Sequence, residues 1–284
     1  MRQEWSNVLA QNKSEQLSIP FSICTTGLKS AKIEDIAAEA KRLGLQGVEI
    51  WGGHIEEYLN RGGELNELRA ILNYNELHVP ALSEYSYFTK SKEAYQADLA
   101  SLRRAAEWAN VLGCPRIRTF AGHVSSREAN NEHWKMAAAG LREALEDCRS
   151  QGVALAVEIH NNTLADRADS LNKLLLDCHD TSLLEFIYDG FNLFVDHIDP
   201  IPILEQFYPY INHVHFKDYH WNHENWGKSK PVPILQGDAG HTAILDALLA
   251  FEYKGYISFE YFGDEVICLT EKSLEELTEY MEKR

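Results

Sequence analysis

The sequence predicts an α/β fold, a single-domain (β/α)8 TIM barrel, on three observations. Short apolar runs recur along the whole chain and alternate with segments of helical periodicity, the pattern of right-handed βαβ units and a parallel sheet. There are eight such runs in 284 residues, a length that suits a closed barrel better than an open sheet. No Gly-x-Gly-x-x-Gly follows the first run, which counts against a dinucleotide-binding sheet.

The predicted strands are Ser18–Cys24, Gly47–Trp51, His78–Leu82, Arg116–Phe120, Val153–Ile159, Leu184–Tyr188, Ile211–Phe216 and Gly255–Phe259. Runs this short and apolar, bounded by polar or glycine-containing segments, suit strands buried on both faces. Between the first two, Ile33, Ile36, Ala37, Ala40 and Leu43 lie on one helix face, and Leu43-Gly44 reads as its stop. Ala94–Leu112 and Glu128–Ser150 are the longest helical candidates. Leu112-Gly113 ends the first, and Ser125 with Glu128 has the spacing of a capping box that would open the second. Leu274, Leu277 and Met281 share a face at the C-terminal end. The segment Asp218–His241, rich in Trp, His, Gly and Pro, reads as an active-site loop. Residues 1–17 read as an N-terminal extension and 18–284 as the barrel.

Composition narrows the function. Formal net charge is −16, from 43 acidic and 27 basic residues. Such a surface repels phosphate backbones and anionic membranes, which argues against a nucleic-acid partner. No stretch has the apolar length of a membrane span. Met1 to Leu17 is polar and lacks the apolar core of a signal peptide. Cys24, Cys114, Cys148, Cys178 and Cys268 are widely spaced with no Cys-x-x-Cys pair, and read as buried free thiols of a reducing compartment. The expectation is a cytoplasmic protein.

Four runs in the second half each carry one ligand-type residue at or near the C-terminal end: Glu158, Asp189, His215 and Glu260. A buried carboxylate is costly unless it is paired, hydrogen-bonded or bound to a metal. In a (β/α)8 barrel the C-terminal strand ends form the active site. Two Glu, one Asp and one His there are oxygen and nitrogen ligands for one divalent cation.

The chain resembles the xylose-isomerase-like barrel superfamily, within its sugar phosphate isomerase/epimerase group. The resemblance covers nearly the full length and is carried by Val157-Glu158-Ile159-His160-Asn161-Asn162-Thr163, Tyr188-Asp189-Gly190-Phe191-Asn192, His213-Val214-His215-Phe216-Lys217-Asp218 and Ser258-Phe259-Glu260. Gln236-Gly237-Asp238-Ala239-Gly240 looks like the family's glycine-containing turn before the last helix. The resemblance implies that Glu158, Asp189, His215 and Glu260 hold one divalent metal, manganese, zinc or cobalt. Many relatives carry His three residues after the aspartate. Asn192 stands there in this chain, able to hydrogen-bond a sugar hydroxyl but a weak proton carrier. The strand-three end, Ser83-Glu84-Tyr85-Ser86-Tyr87, lacks the His of the family's DNA-repair members.

A divalent cation polarises a ketone and a neighbouring hydroxyl and eases loss of the α-proton. Glu158 and Glu260, on strands five and eight, are the candidate proton acceptors. Isomerisation, epimerisation and dehydration share this first step. Isomerase or epimerase is the first expectation. A lyase or dehydratase on a keto-sugar, inosose or keto-glycoside is the second, and a non-catalytic sugar-binding protein is the third. Three carboxylates against one divalent cation leave the ligand shell at about −1, which favours an uncharged sugar or polyol substrate. Candidate substrate contacts are His54, His123, His160, Asn192, Lys217 and Trp221. His213 shares a strand face with His215 one layer deeper and reads as a core histidine. Arg118, inside strand four, reads as a structural ion-pair partner, and Tyr85, Tyr87 and Phe88 as packing or a dimer contact. A homodimer is the default assembly.

Overall fold

The structure, a computed structural model, describes residues 19–284. The predicted N-terminal extension and the Ser18 start of the first strand lie outside the described residues. Among the described residues, ten strands and ten α-helices follow in chain order. They are β1 (Phe21–Cys24), α1 (Ile33–Arg42), β2 (Gly47–Trp51), α2 (Gly52–Asn60), α3 (Leu65–Tyr74), β3 (Leu82–Ser83), α4 (Lys92–Leu112), β4 (Arg116–Thr119), α5 (Asn131–Gln151), β5 (Ala154–Glu158), α6 (Ala168–Cys178), β6 (Leu184–Asp189), α7 (Gly190–Val195), α8 (Pro200–Phe207), β7 (Ile211–Phe216), β8 (Asp218–His220), β9 (Lys230–Val232), α9 (His241–Ala250), β10 (Tyr256–Phe259) and α10 (Val266–Glu282). Eight strands close a parallel barrel in the order β1-β10-β7-β6-β5-β4-β3-β2, and β8 and β9 pair separately. The predicted (β/α)8 barrel is therefore the observed fold.

Boundaries moved where a local residue outcompeted the pattern. The third strand was expected over residues 78–82. Pro80 has no N–H to donate, and regular pairing shrinks to Leu82–Ser83 plus one bridge between His78 and Gly47. The helix expected from Glu128 begins at Asn131, because Asn130 is the better cap: its side chain accepts from the Glu132 and His133 N–H groups. Ser125 and Glu128 form a turn instead. Ser91 caps α4 by accepting from the Ala94 N–H at 3.1 Å, which moves its start ahead of Ala94. The Gly113 stop holds, with φ 71° at the cap. The Gln236–Gly240 turn leads into α9, not the last helix. The segment Asp218–His241 is not irregular. It folds as the β8–β9 hairpin and is closed by Asp218, which accepts from Ala239 N–H and His241 Nδ1.

Period-two alternation gives the barrel a polar interior. Arg116 sits low in it, bonded to Glu185 at 2.7 Å, and Ser22 bonds Ser258 at 2.5 Å across neighbouring strands. Two residues further along the same strands come Arg118, Cys24 and Glu260, and on β5, β6 and β7 Glu158, Asp189 and His215. Asp189 pairs in register with His215, and Ser258 does so on the other side. The apolar residues between them, such as Ile117, Val157, Tyr188 and Val214, face the helices and are fully buried. At about 25 cal/mol per Å² of apolar surface, that outer layer between strands and helices dominates the stabilisation. The lumen is left for polar groups.

Candidate active site

Glu158, Asp189, His215 and Glu260 converge as expected. One donor atom from each lies within 4.8 Å of the others, and all four residues are buried. Strand ends place them. Glu158 and Asp189 are the last residues of β5 and β6, His215 is the penultimate residue of β7, and Glu260 follows β10. Asp189 doubles as the cap of α7, where its Oδ1 accepts from the Asn192 N–H at 3.0 Å. His215 Nδ1 lies 3.6 Å from Glu260 Oε2 and 3.8 Å from Glu158 Oε1.

Two buried cations run through this cluster. Arg118 pairs with Glu158, reaches Glu260 at 2.8 Å and stands 3.6 Å from Glu49. Lys217 Nζ donates to Asp189 at 2.5 Å and to Glu260 at 2.6 Å. Arg118 is thus a member of the site and not only the structural partner expected. Lys217 has turned away from Asp218, its nearest acidic neighbour in sequence. Burial alone would raise the Glu260 carboxyl, but Arg118, Lys217 and His215 hold it well below the usual carboxylate range. Glu158 is lowered in the same way, mainly by Arg118 against the opposing effect of burial.

Glu49 is the residue that the sequence reading missed. It stands at the centre of β2, fully buried, with Oε2 2.8 Å from His213 Nε2 and 2.9 Å from His215 Nε2. Its Oε1 accepts from the Ser83 hydroxyl at 2.5 Å. The signal was present: a lone carboxylate between Val48 and Ile50, as anomalous as Glu158, Asp189 and Glu260. His213 is the buried core residue expected; burial pushes its pKa down to about 4, so it is neutral.

The donor set fits a divalent cation on two observations. Four buried carboxylates (Glu49, Glu158, Asp189, Glu260) face two buried cations (Arg118, Lys217); His215, held protonated against the effect of burial in the metal-free cluster, mainly by Glu49 and Glu260, would give up its proton to become a ligand, which leaves two negative charges for one ion to cancel. In addition, His215 Nδ1 is buried inside the cluster with no hydrogen-bond partner. The earlier charge count left out Glu49 and both cations. With them included, a divalent ion brings the site to neutrality, so the preference for an uncharged substrate loses its basis.

Above the cluster opens a cavity of about 560 Å³, within the usual range for small-molecule sites. Glu158 and Glu260 reach it, along with Arg118, Lys217, Asn192, His123 and His160. Phe120, Tyr85, Tyr87 and Phe262 form its apolar walls. Tyr87 stacks on Phe120, with centroids 5.2 Å apart. Tyr85 and Tyr87 are therefore cavity residues, while Phe88 alone is packed away in the core at φ 67°. Lys90 sits 3.9 Å over the Tyr87 ring and has no acidic partner among the described residues.

The other expected contacts divide. His160 lines the cavity; Asn162 N–H donates to its Nδ1 at 3.2 Å, so the neutral ring carries its proton on Nε2. Burial lowers its pKa, against the opposing pull of Glu158. His123 lines the mouth with Nδ1 2.7 Å from the Thr89 hydroxyl. Asn192 reaches the cavity, but its amide donates to Glu158 Oε1 and to the Ile159 carbonyl, both at 3.2 Å, so it orients the Glu158 carboxylate. Two expectations fail. His54 is buried beneath the β1 end, bonded to Thr25 Oγ1 and the Leu28 carbonyl, because α2 turns it away from the lumen. Trp221 packs edge-on to Phe191 at 5.3 Å, in a small separate core with Val195 and Ala239. No residue of Asp218–His241 lines the cavity. Of the cysteines, Cys268 is exposed and not buried as expected.

Comparison with known proteins agrees with this architecture. The family model for the xylose isomerase-like TIM barrel matches residues 37–284. The chain is 26% identical over 283 residues to a 3-dehydroshikimate dehydratase of Bacillus anthracis, across 91% of this chain and 99% of that protein. It is 25% identical over 151 residues to an inosose dehydratase of Clostridium perfringens, an alignment spanning about half of each chain (49% and 50%). Among solved structures it is similar to the probable 3-DHS dehydratase AsbF of Bacillus anthracis (TM-score 0.82, 22% identity, 92% and 99% of the two chains). It is also similar to the IOLI protein with a bound zinc atom (TM-score 0.78, 17% identity, 93% and 99%).

Proposed function

The chain belongs to the xylose isomerase-like TIM barrel family, and from that premise we propose that it is a divalent-metal-dependent dehydratase of small cyclic keto-polyols. The observation that carries the reading is a cavity that opens onto the buried cluster of Glu158, Asp189, His215 and Glu260, with Glu158, Glu260 and the N–H donor His160 on its wall. The sequence alone put isomerisation first. A relative matched along nearly its whole length is a dehydratase, and one matched over half its length is a dehydratase too, which favours elimination from the shared first step.

Glu158, Asp189, His215 and Glu260 would hold the ion. When bound, it supplies Lewis acidity to the substrate carbonyl. The remaining work falls to the chain. The aromatic walls hold the ring, and Glu260 takes the proton from the carbon next to the ketone. The hydroxyl on the following carbon departs and receives that proton, so one water leaves and one C=C forms. His160 Nε2–H steadies the departing oxygen. Lys217, held against Glu260, keeps the carboxylate in place and balances its charge. Lys90 at the mouth is positioned to meet a carboxylate on the ring, a group that the neutral metal site does not repel.

The test is mass spectrometry of the metal-loaded protein acting on 3-dehydroshikimate and on an inosose in deuterated water. Loss of water supports the dehydratase reading. Retained mass with solvent deuterium on carbon would return isomerisation to first place. Binding of either compound with no exchange would leave a sugar-binding protein.

A further inference from the structure

We propose that Glu49 selects the tautomer of His215 and thereby makes its Nδ1 a metal ligand; this rests on the quartet being the metal site. Glu49 comes from β2, on the far side of the lumen from β7, with β1 and β10 between them along one side of the barrel. Its Oε2 accepts from two imidazoles at once, His213 Nε2 at 2.8 Å and His215 Nε2 at 2.9 Å. A carboxylate only accepts, so each ring must carry a proton on Nε2. For neutral His215 the lone pair is then on Nδ1, the atom that faces Glu158 and Glu260 and has no hydrogen-bond partner. The opposite tautomer would set an Nε2 lone pair against Glu49 and turn an N–H toward the ion's position. Ser83, donating to Oε1, and His213, the second donor to Oε2, hold the carboxylate still. Glu49 is a positioning residue, and the negative charge it adds to the His215 ring strengthens the ligand.

Zinc affinity, measured by chelator competition on wild type and Glu49→Gln, tests the proposal, with the unfolding temperature of each metal-free protein recorded alongside. Glu49→Gln is expected to weaken zinc binding by about 10–100-fold. Glu49→Asp keeps the charge at shorter reach and is expected to recover part of the loss. Unchanged affinity with a lowered unfolding temperature would make Glu49 merely structural and overturn the proposal. Should the variants fail to fold, nitrogen NMR of the wild-type zinc protein decides: a protonated Nε2 and zinc-shifted Nδ1 on His215 support it, and the reverse pattern overturns it. Two zinc ions per chain, the second on Glu49, His213 and His215, would also overturn it. A wild-type protein that takes up no zinc overturns the metal site itself as well as the role of Glu49.

Discussion

Replacing Arg118 with Met tests the charge balance of the lumen most directly. Arg118 is 3% exposed and is the shared partner of Glu158 and Glu260, with Glu49 at 3.6 Å. Met keeps an unbranched apolar stem like that of Arg118 but is shorter and carries no charge. Removing one partner of a buried ion pair costs about 3–5 kcal/mol, because the remaining charge stays desolvated. For a domain near this size each kcal/mol moves the unfolding temperature by roughly 2–4 °C, so the metal-free variant should melt about 6–20 °C lower. A divalent ion added to wild type at about a thousand times its Kd contributes around 4 kcal/mol. The variant should gain more than wild type, since its cluster holds one more uncancelled negative charge. Calorimetry with and without zinc, on chelator-treated protein, reads both quantities. A metal-free variant melting within about 2 °C of wild type, or an equal metal-induced rise in both proteins, would refute the reasoning.

His215→Ala should abolish stoichiometric metal by elemental mass spectrometry, whereas His160→Gln should keep the metal and lose turnover by roughly 10²–10⁴-fold; metal retained in the first or lost in the second would reverse their roles. His54 is neutral in the fold because burial lowers its pKa below the usual 6.5. The unfolded chain therefore takes up the proton first, and its contribution, fully present above about pH 6.5, is lost as the pH falls below it. The unfolding temperature of His54→Gln should accordingly vary less than wild type between about pH 7.5 and 5.5, and equal slopes would count against this. Iodoacetamide on the native protein should label Cys268 alone, as the other four thiols are buried and that of Cys24 is pushed up to about 12 by burial, with help from Glu49 and Glu260. Rapid labelling of Cys24 would show an opening of the lumen.

What was legible in the sequence were features with a period and a cost. The apolar runs with one terminal carboxylate or imidazole had only a buried, strand-end explanation, and Glu158, Asp189, His215 and Glu260 are all found there. Glu49 escaped because Gly47-Val-Glu-Ile-Trp also fits a strand with one face in water, and only closure of the barrel shows that this face is the lumen. Arg118 escaped for a related reason: a strand read alone cannot say which acid across the lumen it meets. His54 and Trp221 misled because strand-end loops are where function concentrates. Which way a loop side chain turns depends on packing partners such as Thr25 and Phe191, far away in sequence.

The barrel closes by pairing β1 with β10, and Glu260 lies just beyond that last strand. Glu260 is therefore the last of the four candidate ligands to leave the ribosome. A nascent chain already holds Glu49, Arg118, Glu158, Asp189 and His215 but has neither a closed lumen nor a complete donor set. The full four-donor cluster therefore exists only once the sheet has closed, and an ion present during synthesis would have no finished site to distort. The same topology brings the two ends of the barrel sequence side by side, so a chain cut elsewhere and joined there would meet the same order of events with a different ligand arriving last.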